Sequence, residues 1–202
     1  MSVNKDNTII MIDWDDTLFP TTWCIKNNIN INDQETRNKY VTFFSELDKI
    51  IYKILNKFSS YGKVIIVTNA LLKWINITSD VLPHTKYILR KLKVISARQL
   101  HQLEYNMTEW KKKVFRKEID DHEIGENLNV ISIGDANYEY TALIELYHPN
   151  KKDLLKAVRL ISAPSHNTLL DQLEVIYKSI PNICLTDSHL DLEFRFFSGY
   201  DT

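Results

Sequence analysis

The chain has 202 residues, 44% of them hydrophobic, and a formal net charge of -1 at pH 7. This length allows one sizeable hydrophobic core and is too short for two full domains, so we expect a single globular domain over residues 1–202. The near-zero net charge excludes a global electrostatic attraction to nucleic acid or to an anionic membrane surface.

Five apolar runs of strand length occur along the chain. They are rich in Ile and Val and mostly lack the polar alternation of a half-exposed strand, which is typical of parallel strands covered on both faces. The runs span residues 8–12, 63–67, 93–96, 129–133 and 157–162. They predict a central, mainly parallel sheet of five strands.

Segments in which apolar residues have helical spacing lie between these runs. The strongest pattern covers residues 37–58, and Gly62 follows it as a stop signal. Weaker patterns cover residues 71–77, 85–92, 109–119, 138–147 and 168–179. Strands that alternate with helices predict a three-layer α/β sandwich with right-handed crossovers, in which ligands bind beyond the carboxyl ends of the strands.

The C-terminal region, residues 185–202, has a different pattern. Apolar and charged residues alternate from His189 to Phe196, which is the period of a half-buried strand. Two interpretations are open: an additional edge strand that closes the sheet, or a tail that pairs with another protomer or a partner.

Polar residues with potential chemistry follow three of the predicted strands. The first strand ends in a cluster of carboxylates, which is unfavourable to bury unless a cation or a reaction requires it. A lone Asp after a strand is more often a turn or capping residue, and we interpret Asp16 in that way. The candidates are Asp13 and Asp15 after the first strand, Thr68 and Asn69 after the second, Lys111 ahead of the fourth, and Asp135 and Glu139 after it.

These motifs, in this order, resemble those of the haloacid dehalogenase (HAD) superfamily of phosphohydrolases. The family has Asp-x-Asp-x-Thr after the first strand, a Thr or Ser after the second, a Lys, and an acidic motif near the fourth. The resemblance covers residues 8–139 and implies a HAD-like, Rossmannoid sheet. Residues 18–35 leave room only for a flap and residues 98–109 form a short connection, so the resemblance is to members without a large cap.

The resemblance implies a role for each matching residue. Asp13 would be the nucleophile that forms an aspartyl-phosphate, and Asp15 the general acid and base. Thr68, Asn69 and Lys111 would bind the phosphoryl group and stabilise its charge. Lys111 is preferred over its two lysine neighbours because the family's Lys follows such a Trp and precedes a helix.

The implied cofactor is Mg²⁺, which takes hard oxygen ligands. Its ligands would be the carboxylates of Asp13 and Asp135 and the main-chain carbonyl of Asp15. Glu139 stands where the family often has an Asp that serves as an outer ligand.

The sequence limits the substrate and the oligomeric state without identifying either of them. The substrate would be phosphorylated, either a small molecule or a macromolecule, with nucleic acid conceivable only as a substrate, and the chain would act as a monomer or homodimer. The alternative is a non-catalytic protein that uses the phosphate pocket for recognition or assembly. The tryptophans near the motifs either pack the loops or stack on substrate.

The sequence also indicates a compartment. Only two cysteines are present, at positions without a disulfide or zinc pattern. The amino terminus lacks the apolar core of a secretory signal, and no apolar run approaches the length of a membrane span. We therefore expect a soluble protein in the cytoplasm.

Overall fold

A computed structural model gives the fold and describes residues 3–101, 106–122 and 127–195. In these ranges strands alternate with helices around one sheet. The strands are β1 (Thr8–Ile12), β2 (Lys63–Thr68), β3 (Lys93–Ser96), β4 (Asn129–Gly134), β5 (Leu154–Arg159) and β6 (Leu190–Glu193). The helices are α1 (Thr21–Lys26), α2 (Gln34–Lys39), α3 (Val41–Tyr61), α4 (Leu72–Ser79), α5 (Pro83–Leu89), α6 (Ala97–His101), α7 (Met107–Asp120), α8 (Asn137–Ile144) and α9 (His166–Leu185).

The six strands form one sheet in the order β3-β2-β1-β4-β5-β6, and every neighbouring pair is parallel. The first strand lies at the centre, where Ile10 pairs with Val64 of β2 and with Ile131 of β4. Because the strands are parallel and in register, the segments that follow β1, β2 and β4 meet at one edge of the sheet. This edge holds the residues that the sequence motifs single out.

Two hydrophobic clusters cover the two faces of the sheet. Alternate residues of β1 point to opposite faces, so Ile10 joins the cluster formed with α3, α4, α5 and α9, whereas Ile9 joins the cluster formed with α7 and α8. Both residues are fully buried. Burial on both faces explains why the strand is apolar throughout, and it confirms the expected α/β layering with a parallel sheet.

The sheet has six strands, one more than the five predicted from the apolar runs. The sixth, β6, pairs in parallel with β5, and Arg159 of β5 bonds the carboxylates of Asp191 and Glu193 across the pair. The interpretation of the C-terminal alternation as an edge strand is therefore confirmed for Leu190–Glu193. The alternation extends to Phe196, which lies outside the described residues.

The fifth strand lies three residues earlier than predicted, at Leu154–Arg159 rather than 157–162. Lys156 explains the error, because its charge interrupts the apolar pattern although the side chain is fully buried. The end of the predicted run instead leads into a turn, in which Ala163 has a left-handed φ of 48°.

The predicted flap, residues 18–35, contains α1 and the start of α2. Most of its apolar side chains pack into the larger cluster, including the buried Leu18, Phe19 and Cys24, whereas Ile25 is exposed. The helices α1 and α6 were not predicted, since so few residues carry little helical periodicity. The predicted helix over 37–58 is divided at Tyr40, so that its first residues belong to α2 and the rest to α3. None of the helices in the described ranges combines the length and the apolar character needed to cross a membrane.

Candidate active site

The loop that carries Asp13 and Asp15 begins where β1 ends. The N–H of Asp13 donates to the carbonyl of Ile133 at 2.9 Å, so the backbone of Asp13 still pairs with β4. The loop then folds back on itself, because the N–H groups of Leu18 and Phe19 both donate to the carbonyl of Trp14 at 2.9 Å. Trp14 and Phe19 are fully buried, and this packing fixes the carboxylates at the sheet edge.

Lys111 reaches this edge from α7. Its ammonium donates to Asp13 Oδ1 at 2.6 Å and also to Glu139 Oε1, and the residue is only 1% exposed. Burial by itself disfavours the charged ammonium, but the two carboxylates outweigh this effect and raise the pKa of Lys111 above its ordinary value. The adjacent Lys112 points elsewhere and pairs with two surface glutamates.

Glu139 has both carboxylate oxygens engaged. While Oε1 accepts from Lys111, Oε2 accepts from the N–H of Ala136 at 3.1 Å. A Cβ on Gly134 would lie 2.3 Å from Glu139 Cγ, so the absence of a side chain there creates the space for this carboxylate. These contacts favour Glu139 as the ion-pair partner of Lys111 rather than as a metal ligand.

Asp13 and Asp135 face one another across a single hydroxyl group. Thr17 Oγ1 lies 3.4 Å from Asp13 Oδ2 and 3.4 Å from Asp135 Oδ1, and Ser162 donates to Asp135 Oδ2 at 3.0 Å. Burial raises the pKa of Asp13 well above its ordinary value, against the opposing effect of Lys111. Burial, with a contribution from Glu139, also raises the pKa of Asp135 to about 6. Three carboxyl groups, those of Asp13, Asp135 and Glu139, share one ammonium group, that of Lys111, so their ionised forms would carry an excess of negative charge.

The oxygen atoms of Asp13 and Asp135 fit a Mg²⁺ ion, which prefers hard oxygen donors and is commonly held by one or two carboxylates with several waters. Within residues 3–101, 106–122 and 127–195, no three His, Cys, Asp or Glu side chains are grouped closely enough to bind a metal by themselves. The Asp15 main-chain carbonyl, which the resemblance implies as a further ligand, stays a prediction. A divalent cation at this position would offset the excess negative charge.

Asp15 lies on the other side of the loop and accepts three hydrogen bonds. Its Oδ1 accepts from Thr21 Oγ1 at 2.5 Å and from Trp74 Nε1 at 2.7 Å, and its Oδ2 accepts from Thr68 Oγ1 at 3.0 Å. The Thr68 hydroxyl also accepts from the N–H of Ala70 at 2.9 Å. The structure thus brings Thr68, a predicted phosphate ligand, into direct contact with the predicted acid and base.

Asn69, also predicted to bind phosphate, follows Thr68 at the end of β2. Its Oδ1 is buried and accepts no hydrogen bond from the part of the chain that the structure describes. A buried amide oxygen without a donor is unfavourable. Water or a bound molecule would have to supply that donor.

Asp16 has the geometry of a turn residue. Its φ of 56° lies in the left-handed region, and its carboxylate accepts from the N–H of Thr22 at 2.8 Å in the first turn of α1. Burial raises the pKa of Asp16. These contacts differ from those of Asp13 and Asp15, because they stabilise the start of α1.

The four tryptophans have different environments. Trp14 and Trp110 are buried in the two hydrophobic clusters, so they belong to the core. Trp23 packs against the rings of Tyr40, Phe43 and His166, with 4.5 Å between the Trp23 and His166 ring centroids. Trp74 donates to Asp15, as described above. Packing therefore accounts for two of them, and the stacking hypothesis remains relevant only to Trp23 and Trp74.

In the structure, all the site residues that the sequence motifs predicted lie near one edge of the sheet. Further residues join them there. The additional residues are Thr21, Trp74 and Ser162, which bond to Asp15 or Asp135. Their signal in the sequence is weak, since each is a single hydroxyl or indole in a connecting segment. Comparisons with protein-family models, with curated proteins and with solved structures found no match.

Proposed function

We propose that this chain is a Mg²⁺-dependent phosphatase of the HAD type that hydrolyses a phosphomonoester through an aspartyl-phosphate on Asp13. The main observation in support is the buried contact between Lys111 and Asp13, with Asp15 only two residues further along. A buried ammonium beside a carboxylate offsets the repulsion that a phosphate dianion would otherwise meet.

In the first step, an oxygen of Asp13 attacks phosphorus while the bond from phosphorus to the leaving-group oxygen breaks. Asp15 gives its proton to that leaving oxygen. Lys111 and Thr68 stabilise the negative charge on the equatorial phosphoryl oxygens. Mg²⁺, when held by Asp13, Asp135 and the Asp15 carbonyl, would supply further positive charge at the phosphoryl group.

In the second step, water attacks phosphorus and the bond from phosphorus to Asp13 breaks. Asp15, now a carboxylate, takes a proton from that water, so both side chains return to their starting states. Phosphate and the dephosphorylated alcohol are the products. Each proton removed in one step is returned in the other.

The connections around this edge favour an accessible site. Residues 18–35 bury part of their apolar side chains in the core, and only residues 97–106 separate β3 from α7. We infer that the substrate is not enclosed by a large cap domain of this chain, so either a macromolecule or a small molecule could be accommodated.

The proposal is tested with a generic aryl phosphate, measured with and without Mg²⁺. We expect Mg²⁺-dependent hydrolysis by the wild type and a loss of at least about 10³-fold in Asp13→Asn, because the amide is a poor nucleophile. Asp121→Asn is the matched control, since Asp121 pairs with Lys117 on the exposed side of α7 and should leave activity unchanged.

Equal hydrolysis by the wild type and Asp13→Asn would refute the assignment of the nucleophile. Absence of hydrolysis across a broad panel of phosphorylated compounds, combined with binding of one of them, would instead favour a recognition or assembly protein.

A further inference from the structure

The two carboxylate oxygens of Asp15 accept hydrogen bonds from different side chains. The indole N–H of Trp74 and the hydroxyl of Thr21 both contact Oδ1, at 2.7 and 2.5 Å. Among the described residues, the hydroxyl of Thr68 alone donates to Oδ2, at 3.0 Å. The two sides of one carboxylate therefore have different chemical partners.

An indole N–H can donate a hydrogen bond but cannot accept one, whereas a threonine hydroxyl can do either. The indole N–H of Trp74 points its hydrogen at Oδ1 and cannot accept one in return. A proton on Oδ1 is therefore disfavoured. Thr68 can turn its hydroxyl and accept from a protonated Oδ2. The proton of the carboxylic acid is consequently best accommodated on Oδ2.

Trp74 itself is held firmly. Its ring packs edge-on against Phe19, with 6.4 Å between the centroids, and its backbone N–H donates to the carbonyl of Leu71 at 2.8 Å. The indole nitrogen also lies 3.3 Å from Thr21 Oγ1. The donor is therefore fixed by packing as well as by hydrogen bonding.

We propose that Trp74 is a positioning residue for Asp15: its indole N–H holds Oδ1 and leaves Oδ2 to give the proton to the leaving group. This inference rests on the proposed phosphatase function. In the step concerned, the proton moves from Oδ2 to the leaving oxygen as the bond between that oxygen and phosphorus breaks. Trp74 takes no part in bond making and acts only through Asp15.

The test compares two aryl phosphates that differ in the basicity of the leaving phenol. Phenyl phosphate requires protonation of its leaving group, whereas p-nitrophenyl phosphate largely does not. Trp74→Phe keeps an aromatic ring against Phe19 and removes the N–H. We expect kcat to fall about tenfold for phenyl phosphate and less than about twofold for p-nitrophenyl phosphate, with KM unchanged.

Tyr87→Phe is the control, because Tyr87 lies on α5, is 56% exposed and has the Lys91 ammonium over its ring. It should not change the ratio of the two rates. A pair of variants at Thr21 gives a second test that does not depend on how Trp74→Phe folds. Thr21→Val should change the ratio in the same direction as Trp74→Phe, and Thr21→Ser, which keeps the hydroxyl, should restore it.

Equal losses on both substrates, or no loss on either, in Trp74→Phe and in Thr21→Val would overturn the positioning role. If the wild type then still hydrolyses both substrates in an Asp13-dependent manner, the proposed function stands without it. A wild type without any phosphatase activity would overturn both.

Discussion

Two buried lysines at different places in the fold have pKa values that are shifted in opposite directions. Lys111 lies at the carboxyl edge of the sheet between two carboxylates, and its pKa is raised. Lys156 lies within β5, is 0% exposed, and donates to the carbonyls of Ile183 and Cys184 at 2.9 Å each. Burial lowers the pKa of Lys156 to about 8.

The difference shows that burial alone does not determine the pKa of a lysine. Full negative charges offset the loss of hydration at Lys111, whereas the carbonyl dipoles at the end of α9 do so only in part at Lys156. The chain thus keeps one strongly held cation beside the proposed nucleophile. The second lysine secures the end of a helix and has no role in the proposed reaction.

The largest effect should follow from Lys111→Met. The substitution leaves Asp13 and Glu139 buried beside one another without a cation, so we expect the free energy of unfolding to fall by about 3–5 kcal/mol, together with the loss of activity. Urea denaturation near neutral pH measures the change. Lys112→Met is the control, and its effect should stay within about 1 kcal/mol because its partners, Glu109 and Glu145, are exposed.

A smaller effect should appear in the pH dependence of stability through Lys156. Below about pH 8 both the folded and the unfolded chain bind its proton, so the contribution is constant. Above that pH the folded protein loses the proton first, whereas the unfolded lysine keeps it up to its ordinary value of 10.5. Stability should therefore rise between these values, by on the order of 2–3 kcal/mol.

The measurement is urea denaturation of the wild type and Lys156→Met from pH 7 to pH 10.5, and the difference between them isolates this lysine. Near neutral pH, Lys156→Met should change stability by only about 1–2 kcal/mol, because removing a buried charge offsets the loss of two hydrogen bonds. A difference between the two proteins that does not vary with pH would contradict the lowered pKa. Losses of equal size at Lys111 and Lys156 would remove the contrast between the two sites.

The sequence predicted the strand ends well, because parallel strands buried on both faces leave a strong apolar pattern. That pattern also placed Asp13, Asp15, Thr68 and Asp135 at one edge. It failed at Lys156, where a charged residue inside a buried strand shifted the predicted boundaries of β5. A buried charge that main-chain carbonyls satisfy has no local signature.

The partners of the site residues could be predicted only in part. The order of the motifs predicted that Lys111 would belong to the site. The sequence did not show that Glu139 would form an ion pair with it. Thr21 and Trp74 lie in different connections and meet at Asp15 only because β1 and β2 are neighbours in the sheet. Such contacts depend on three-dimensional proximity, which a single residue in the sequence does not reveal.

The proposed mechanism requires Asp13 to carry a phosphoryl group during turnover, and this intermediate can be trapped. The wild type is mixed with an aryl phosphate and Mg²⁺, quenched rapidly in acid, and mapped by peptide mass spectrometry. We expect the mass of one phosphoryl group on Asp13 in the wild type and no such adduct in Asp13→Asn. A phosphoryl group on another residue, or an adduct that persists in Asp13→Asn, would show that Asp13 is not the nucleophile.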